Sequence, residues 1–106
     1  MPNEICQMKA DIFKVLGHPI RLRIVELVAE GEKSVSELVQ AMGAEPSNTS
    51  RHLAVLKRAG IVSDRKEGLN VYYRLELPCI TRFFACVTEA VKEKLEKSES
   101  LLRRLA

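Results

Sequence analysis

Apolar residues recur every three or four positions in the first half of the chain, which is the spacing of amphipathic helices. One such set predicts a first helix over residues 4–16, and Gly17 ends it. A second set predicts a helix that begins at Pro19, because a proline in the first turn loses nothing by lacking an N–H. Gly31 ends this second helix.

Two shorter helices follow, joined by a tight turn. Ser34 and Glu37 have the spacing of a capping box, so a third helix is expected to begin there and to end at Gly43. Pro46 suits the first turn of a fourth helix, which runs to about Ala59. The residues expected to face inward from the fourth helix are Thr49, Leu53 and Leu56.

After Gly60 the helical spacing stops. Residues 61–66 and 71–75 indicate two strands separated by a turn at 67–70, and the second strand is rich in β-branched and aromatic side chains. Together they predict a β-hairpin. A long helical pattern then follows over residues 79–104.

The resulting order, α-α-(β)-α-α-β-β-α, predicts a fold that is mainly α with a β-hairpin wing. Two short helices joined by a tight turn and followed by a hairpin are the parts of a winged helix-turn-helix. The sequence contains no internal repeat and no sign of a second domain, so residues 1–106 are expected to form a single domain.

The chain has 106 residues, of which 46% are apolar and 29% charged, a composition typical of globular proteins. No apolar run approaches the roughly 18 residues that a membrane span needs. No export signal opens the sequence, so we expect a cytoplasmic protein with no membrane partner. Its three cysteines, Cys6, Cys79 and Cys86, are then expected to be free thiols.

The net charge of +3 is unevenly distributed. Residues 47–74 hold six Lys or Arg side chains against two acidic ones, so the rest of the chain is slightly acidic. A locally basic segment indicates a polyanionic partner such as nucleic acid. On charge alone, however, an ordinary solvated surface explains the pattern equally well.

Residues 34–74 form the predicted DNA-reading module. An α-helix fits the major groove of B-DNA and presents polar side chains to base edges, while its N-terminus attracts phosphate. The fourth helix supplies hydroxyl, amide and cationic groups, and the tip of the wing supplies two cations for backbone phosphates or the minor groove. The predicted DNA-binding residues are Ser47, Asn48, Ser50, Arg51, His52, Lys57, Arg65 and Lys66.

Several blocks of this sequence resemble the ArsR/SmtB family of bacterial metal-responsive repressors. The opening of that family's second helix is similar to GHPIRLRI at residues 17–24. Its recognition helix and first wing strand are similar to SRHLAVLKRAGIV at residues 50–62. Its wing is similar to RKEG at 65–68 and VYYRL at 71–75, so the resemblance covers nearly the whole chain.

The resemblance implies a homodimer whose interface is formed by the first and last helices, residues 1–16 and 78–104. It implies repression by binding double-stranded operator DNA with two related half-sites, and release when an inducer binds. No cofactor is required for this activity. No Cys-x-x-Cys, Gly-rich phosphate loop or catalytic constellation indicates an enzyme.

The expected sensing site departs from the best-known members of that family. Their Cys-x-Cys pair in the third helix has no counterpart within residues 34–43. Two of the four positions that align with their zinc ligands cannot bind a metal; the four are Leu77, Cys79, Ala90 and Glu93. The thiols of Cys79, Cys86 and Cys6 are therefore the candidates to converge on a soft ion such as As(III).

Two other interpretations of the cysteines stay open. On a regular helix, Cys79 and Cys86 share a face but lie about 10 Å apart, so a shared metal ion requires the helix to unwind after Pro78. They could instead be small buried hydrophobic residues of the dimer interface, or a thiol redox or persulfide switch. A winged-helix protein-interaction module without an inducer site is a further alternative, which the cations of the module disfavour.

Overall fold

The structure, a computed structural model, describes residues 2–105. Residues 1 and 106, the ends of the predicted domain, lie outside the described residues. Within this range the helices are α1 (Pro2–Leu16), α2 (Pro19–Ala29), α3 (Val35–Met42), α4 (Pro46–Arg58) and α5 (Ile80–Leu105). The strands are β1 (Lys33–Ser34), β2 (Val62–Glu67) and β3 (Asn70–Leu75). The predicted order and fold class, mainly helical with a β-hairpin wing, are confirmed.

The start of α2 is held by His18. Its imidazole Nδ1 accepts a hydrogen bond from the Ile20 N–H at 3.1 Å, and Pro19 occupies the first turn. The imidazole thus performs the capping role that short polar side chains usually perform. The buried face of α2 consists of Ile24, Val25, Leu27 and Val28.

A capping box begins α3, as the sequence predicts. The Ser34 hydroxyl oxygen accepts from the Glu37 N–H at 3.1 Å, and the Glu37 carboxylate accepts from the Ser34 N–H at 2.9 Å. These hydrogen bonds, led by the one from the Ser34 backbone, hold the pKa of Glu37 below its ordinary value. Gly43 ends the helix with φ of 62°, a left-handed conformation that glycine adopts without a steric penalty.

The inward stripe of α4 is fully buried, as predicted. Thr49, Leu53 and Leu56 have no exposed surface. The Thr49 hydroxyl donates to the Glu45 carbonyl at 3.2 Å, so its burial leaves no polar atom unsatisfied. Because residues three or four apart share a helix face, burial of this stripe turns the polar residues at the start of α4 away from the core.

The wing hairpin is longer than predicted. Its strands stay paired as far as Glu67 and Asn70, so only Gly68 and Leu69 form the turn, and the predicted turn over 67–70 is wrong at both ends. Gly68 has φ of 63°, the left-handed backbone that short hairpin turns need. A glycine at this position allows a two-residue turn, which lets the ladder continue by one more pair.

The longer hairpin moves two predicted DNA-binding residues away from the tip of the wing. Arg65 lies opposite Tyr72 and Lys66 opposite Val71 in the ladder, so both belong to β2 and the predicted tip position is wrong. On the other side of β3, the short strand β1 completes a sheet of order β1-β3-β2. The wing is therefore anchored to the segment that begins α3.

The hydrophobic core lies between α2, α3, α4 and the start of the wing. α1 contributes only Leu16 to it, and the described part of α5 contributes no buried residue. The radius of gyration, 16.9 Å, exceeds the roughly 13 Å of a compact domain of this size, because both end helices extend from the core. The buried residues are Leu16, Ile24, Val25, Leu27, Val28, Leu38, Leu53, Leu56, Ile61 and Val62.

The long helix α5 begins at Ile80, and Cys79 lies in the turn before it. The Thr81 hydroxyl donates to the Pro78 carbonyl at 2.9 Å and stabilises this turn. Near its start, α5 rests on the core through the half-buried Ile80 and Phe84. None of the helices within residues 2–105 has the length and apolar character to span a membrane.

We expect Ser34→Ala to lower the free energy of unfolding by about 1 kcal/mol, because α3 loses the side-chain acceptor of its capping box. Urea unfolding followed by circular dichroism, at equal protein concentrations, measures this change. Ser36→Ala in the exposed first turn of the same helix is the matched control. Equal destabilisation by both substitutions would contradict the role given to the cap.

Candidate nucleic-acid interface

The first two turns of α4 carry a polar surface. Ser47, Ser50 and Arg51 are exposed, while Asn48 and His52 are half-buried. Among the described residues, no side chain caps the N-terminus of α4, since Glu45 occupies the cap position without making the hydrogen bond. The N–H groups of this first turn are therefore open to an acceptor from outside the chain, such as phosphate.

The guanidinium of Arg51 is held in place by its neighbour one turn earlier. Its Nη2 donates to Asn48 Oδ1 at 2.7 Å, and both residues belong to the surface just described. A guanidinium with one N–H group bound in this way keeps other donors for a second partner. The bond therefore orients Arg51 without saturating it.

Lys57 connects the other half of α4 to the wing. Its Nζ lies 3.0 Å from Asp64 Oδ2 on β2. Both side chains are partly exposed, at 52% and 29%, so the attraction between them is weak in water. A phosphate oxygen can compete with the Asp64 carboxylate for this ammonium group.

Arg65 is the most constrained cation of the wing. It lies 2.6 Å from a Glu67 oxygen and 2.8 Å from a Glu32 oxygen, and its guanidinium lies 4.7 Å from the centre of the Tyr72 ring. The hydrogen bonds to Glu67 and then Glu32 raise the pKa of Arg65, so its charge is permanent. Its neighbour Lys66 is exposed, and within residues 2–105 it forms no ion pair.

His52 contacts α2. Its Nδ1 accepts from the Arg21 Nε–H at 3.2 Å, and its ring centre lies 4.4 Å from that of His18. Burial, followed by the electrostatic effects of His18, Arg21 and Arg51, lowers the pKa of His52 below its ordinary value. At neutral pH the ring is therefore uncharged and carries its proton on Nε2.

His18 and Arg21 were not among the predicted DNA-binding residues. They join the polar surface of α4 only through the packing of two helices, since Arg21 and His52 are 31 residues apart in the chain. No local sequence signal reports such a contact. Between the two helices lies a space of about 390 Å³, here named the α2–α4 cleft, lined by His18, Ile20, Arg21, Asn48, Arg51, His52 and Val55.

All three cysteines are exposed free thiols in this chain. Cys6 lies on α1, Cys86 on α5, and Cys79 in the turn before α5. Across residues 2–105, no three His, Cys, Asp or Glu side chains come together as a metal site within one chain. The predicted three-thiol site stays a hypothesis.

Comparison with known proteins gives consistent matches over most of the chain. A family model for bacterial regulatory proteins of the arsR family matches residues 18–64, from the N-cap of α2 into the wing. An uncharacterized HTH-type transcriptional regulator of Mycobacterium tuberculosis is 38% identical over 100 residues, which cover 93% of this chain and 88% of that protein. The arsenical resistance operon repressor of Escherichia coli K12 is 40% identical over 97 residues, covering 90% and 82%.

The fold is also similar to solved structures. One is the solution structure of a homodimeric winged helix-turn-helix DNA-binding domain from Mycobacterium bovis, described as a possible ArsR-family transcriptional regulator. It aligns with a TM-score of 0.77 and 34% identity, over 90% of this chain and 88% of that one. The helices and strands of this chain and their arrangement are thus similar to those of that DNA-binding domain.

We expect Glu32→Gln to tighten binding to duplex DNA about threefold at low salt, because it removes a carboxylate that competes with phosphate for Arg65. Fluorescence anisotropy with labelled duplex measures the change. Glu26→Gln is the matched control, since Glu26 is another exposed carboxylate and pairs with Arg23 on α2. Unchanged or weaker binding by Glu32→Gln would show that Arg65 does not meet the DNA backbone.

Proposed function

The chain belongs to the arsR family of bacterial regulatory proteins, and on that premise we propose that it is a homodimeric repressor that binds operator DNA with two related half-sites. The observation that carries the proposal is the start of α4, where hydroxyl, amide and guanidinium groups lie on a helix whose other face is locked in the core. The family and its members are transcription regulators, which confirms that the chain is not an enzyme.

In this proposal residues 34–74 are the DNA-reading module, and the first two turns of α4 enter the major groove. Arg51, oriented by Asn48, is suited to a bidentate contact with a guanine edge. The wing and the end of α4 lie against the sugar-phosphate backbone, where their cations position the helix without reading sequence. The proposed contacts are Ser47, Asn48, Ser50, Arg51, His52, Lys57, Arg65 and Lys66.

The proposed dimer is formed by residues 1–16 and 78–104. These helices expose a row of large apolar side chains, and an edge-to-face contact between Phe13 and Phe83, with ring centres 5.9 Å apart, joins α1 to α5. Such a concentration of exposed large apolar side chains usually marks an interface between proteins. The exposed apolar residues are Ile5, Met8, Phe13, Phe83, Val87, Val91, Leu95, Leu101, Leu102 and Leu105.

A second copy of the chain is the partner best supported for this surface. The homologous domain from Mycobacterium bovis is described as homodimeric. A twofold dimer also suits an operator with two half-sites, because the symmetry of the protein then matches that of the DNA. Each half-site then binds the α4 helix of one chain.

We further propose that a soft metal(loid) such as As(III) releases the repressor from DNA by binding the thiolates of Cys79, Cys86 and Cys6. Exposure of all three thiols supports access by such a ligand. Cys6 and Cys86 lie on the two helices of the proposed interface, so ligands from both chains can meet there. The similar protein from Escherichia coli is named as an arsenical resistance operon repressor.

Ligand binding at the junction of α1 and α5 would change the angle at which the two chains meet. The half-sites lie about one helical turn, or roughly 34 Å, apart, so a small pivot moves both recognition helices out of register at once. Metal(loid) binding and DNA binding are then coupled, because each favours a different geometry of the dimer.

We expect Arg51→Ala to weaken binding to a duplex selected from a random pool by about 10- to 100-fold, because it removes a base-edge contact. Anisotropy titrations measure affinity, and sedimentation of the complex should show two chains on each duplex. Arg23→Ala, which removes an exposed cation that pairs with Glu26 on α2, is the matched control. Failure of the unaltered chain to bind any duplex at low salt would favour a protein-interaction module instead.

We expect arsenite to release the reduced protein from labelled duplex at close to one equivalent per site, because soft thiolate ligands hold As(III) tightly. Cys86→Ser should require at least about tenfold more arsenite. Cys6→Ser and Cys79→Ser test the other two ligands in the same titration.

The alternatives for the thiols give different outcomes in that assay. Release by an oxidant such as diamide, reversed by a reductant and absent with arsenite, would overturn the metal(loid) proposal in favour of a thiol switch. No release by either reagent would leave the cysteines with a packing role alone.

A further inference from the structure

The α2–α4 cleft is a concentration of positive and hydrogen-bond-donating groups. Two guanidinium groups, from Arg21 and Arg51, and two imidazoles, from His18 and His52, line it. Among the described residues that line the cleft, none is acidic. This distinguishes it from Lys57 and Arg65, which pair with carboxylates.

The hydrogen bonds within the cleft determine which ring atoms can donate. His18 Nδ1 accepts from the Ile20 N–H, and His52 Nδ1 accepts from the Arg21 Nε–H. In a neutral imidazole the other nitrogen carries the proton, so each ring presents an Nε2–H donor. Within residues 2–105 neither of these donors has a hydrogen-bond acceptor.

The cleft also lies where a DNA backbone is expected. Asn48, Arg51, His52 and Val55 have helical spacing and share the flank of α4 that faces α2. The major groove is about 12 Å wide and a helix with its side chains measures about 10–12 Å. A helix that fills the groove therefore brings its flanks against the phosphates on either side.

We propose that the α2–α4 cleft binds one phosphate of the DNA backbone beside the recognition helix, with His18 and Arg21 of α2 as contact residues. The proposal rests on the DNA-binding function proposed above and adds α2 to an interface that otherwise consists of α4 and the wing. Charge-assisted hydrogen bonds from guanidinium and imidazole N–H groups are the chemistry that phosphate oxygens prefer. A free phosphate ion has the same chemistry, so the experiment separates the two sources.

His52 lines the cleft as a neutral ring. Burial, followed by the electrostatic effects of His18, Arg21 and Arg51, lowers its pKa below the ordinary value. A second proton would also have to bind Nδ1, which accepts the hydrogen bond from the Arg21 Nε–H. The ring therefore offers phosphate its Nε2–H donor without becoming charged.

The test compares two substitutions in the cleft with a matched control on the same helix. His18→Asn keeps a side-chain acceptor for the cap of α2 but removes the Nε2–H donor. Arg21→Gln removes one cation from the cleft, and Arg23→Gln removes one that pairs with Glu26 outside it. Because Arg21 also donates to the Val15 carbonyl, thermal unfolding of each variant establishes that it is folded.

Anisotropy titrations between about 50 and 200 mM salt should show about tenfold weaker binding for both cleft variants. The dependence of log affinity on log salt should lose about one unit of slope in Arg21→Gln, and Arg23→Gln should match the unaltered chain.

The outcomes separate this proposal from the function on which it rests. Binding by both cleft variants within twofold of Arg23→Gln, with the same salt slope, would overturn the phosphate site while leaving the repressor function intact. Failure of the unaltered chain to bind duplex would overturn the proposed function itself. Imidazole ¹⁵N shifts of His18 and His52 that respond to inorganic phosphate but not to duplex would assign the cleft to a free anion and overturn the backbone contact.

Discussion

Burial of one side of α4 is the constraint on which the rest of this structure depends. Thr49, Leu53 and Leu56 have no exposed surface, and truncating a leucine in such a position typically removes about 2–5 kcal/mol of the 5–15 kcal/mol that hold a small domain folded. The helix cannot rotate without exposing this stripe. Ser50 and Arg51, which lie outside this stripe, therefore face outward as a consequence of core packing, and the hydrogen bond to Asn48 then orients the Arg51 guanidinium.

The elements that surround α4 determine which of the nearby cations are paired with carboxylates. Lys57 and Arg65 are paired with carboxylates on other elements, and such exposed pairs contribute little to stability in water. Exchange of these pairs for the proposed phosphate contacts would therefore change the stability of the fold little. The α2–α4 cleft differs from these pairs, because His18 and Arg21 contact the flank of α4 and no carboxylate belongs to the described lining.

The two end helices, α1 and α5, are held far less by the core than α4 is. α5 contributes no buried residue to the described core, and ten large apolar side chains of α1 and α5 are exposed in the single chain. Their burial therefore depends on a second surface, for which the proposed partner is another copy. Cys6 and Cys86 belong to the same two helices, so any chemistry at these thiols would act on the surface where the chains are proposed to meet.

The sequence by itself determined the features that depend on residues a few positions apart. The Ser34–Glu37 capping box, the buried stripe of α4 and the order of helices and strands all follow from local hydrogen bonds and from periodicity. Only the tertiary structure decided that Arg65 pairs with Glu32 and that His52 contacts Arg21, because these partners are 33 and 31 residues apart. Such contacts arise from the packing of whole elements, which no short window of sequence encodes.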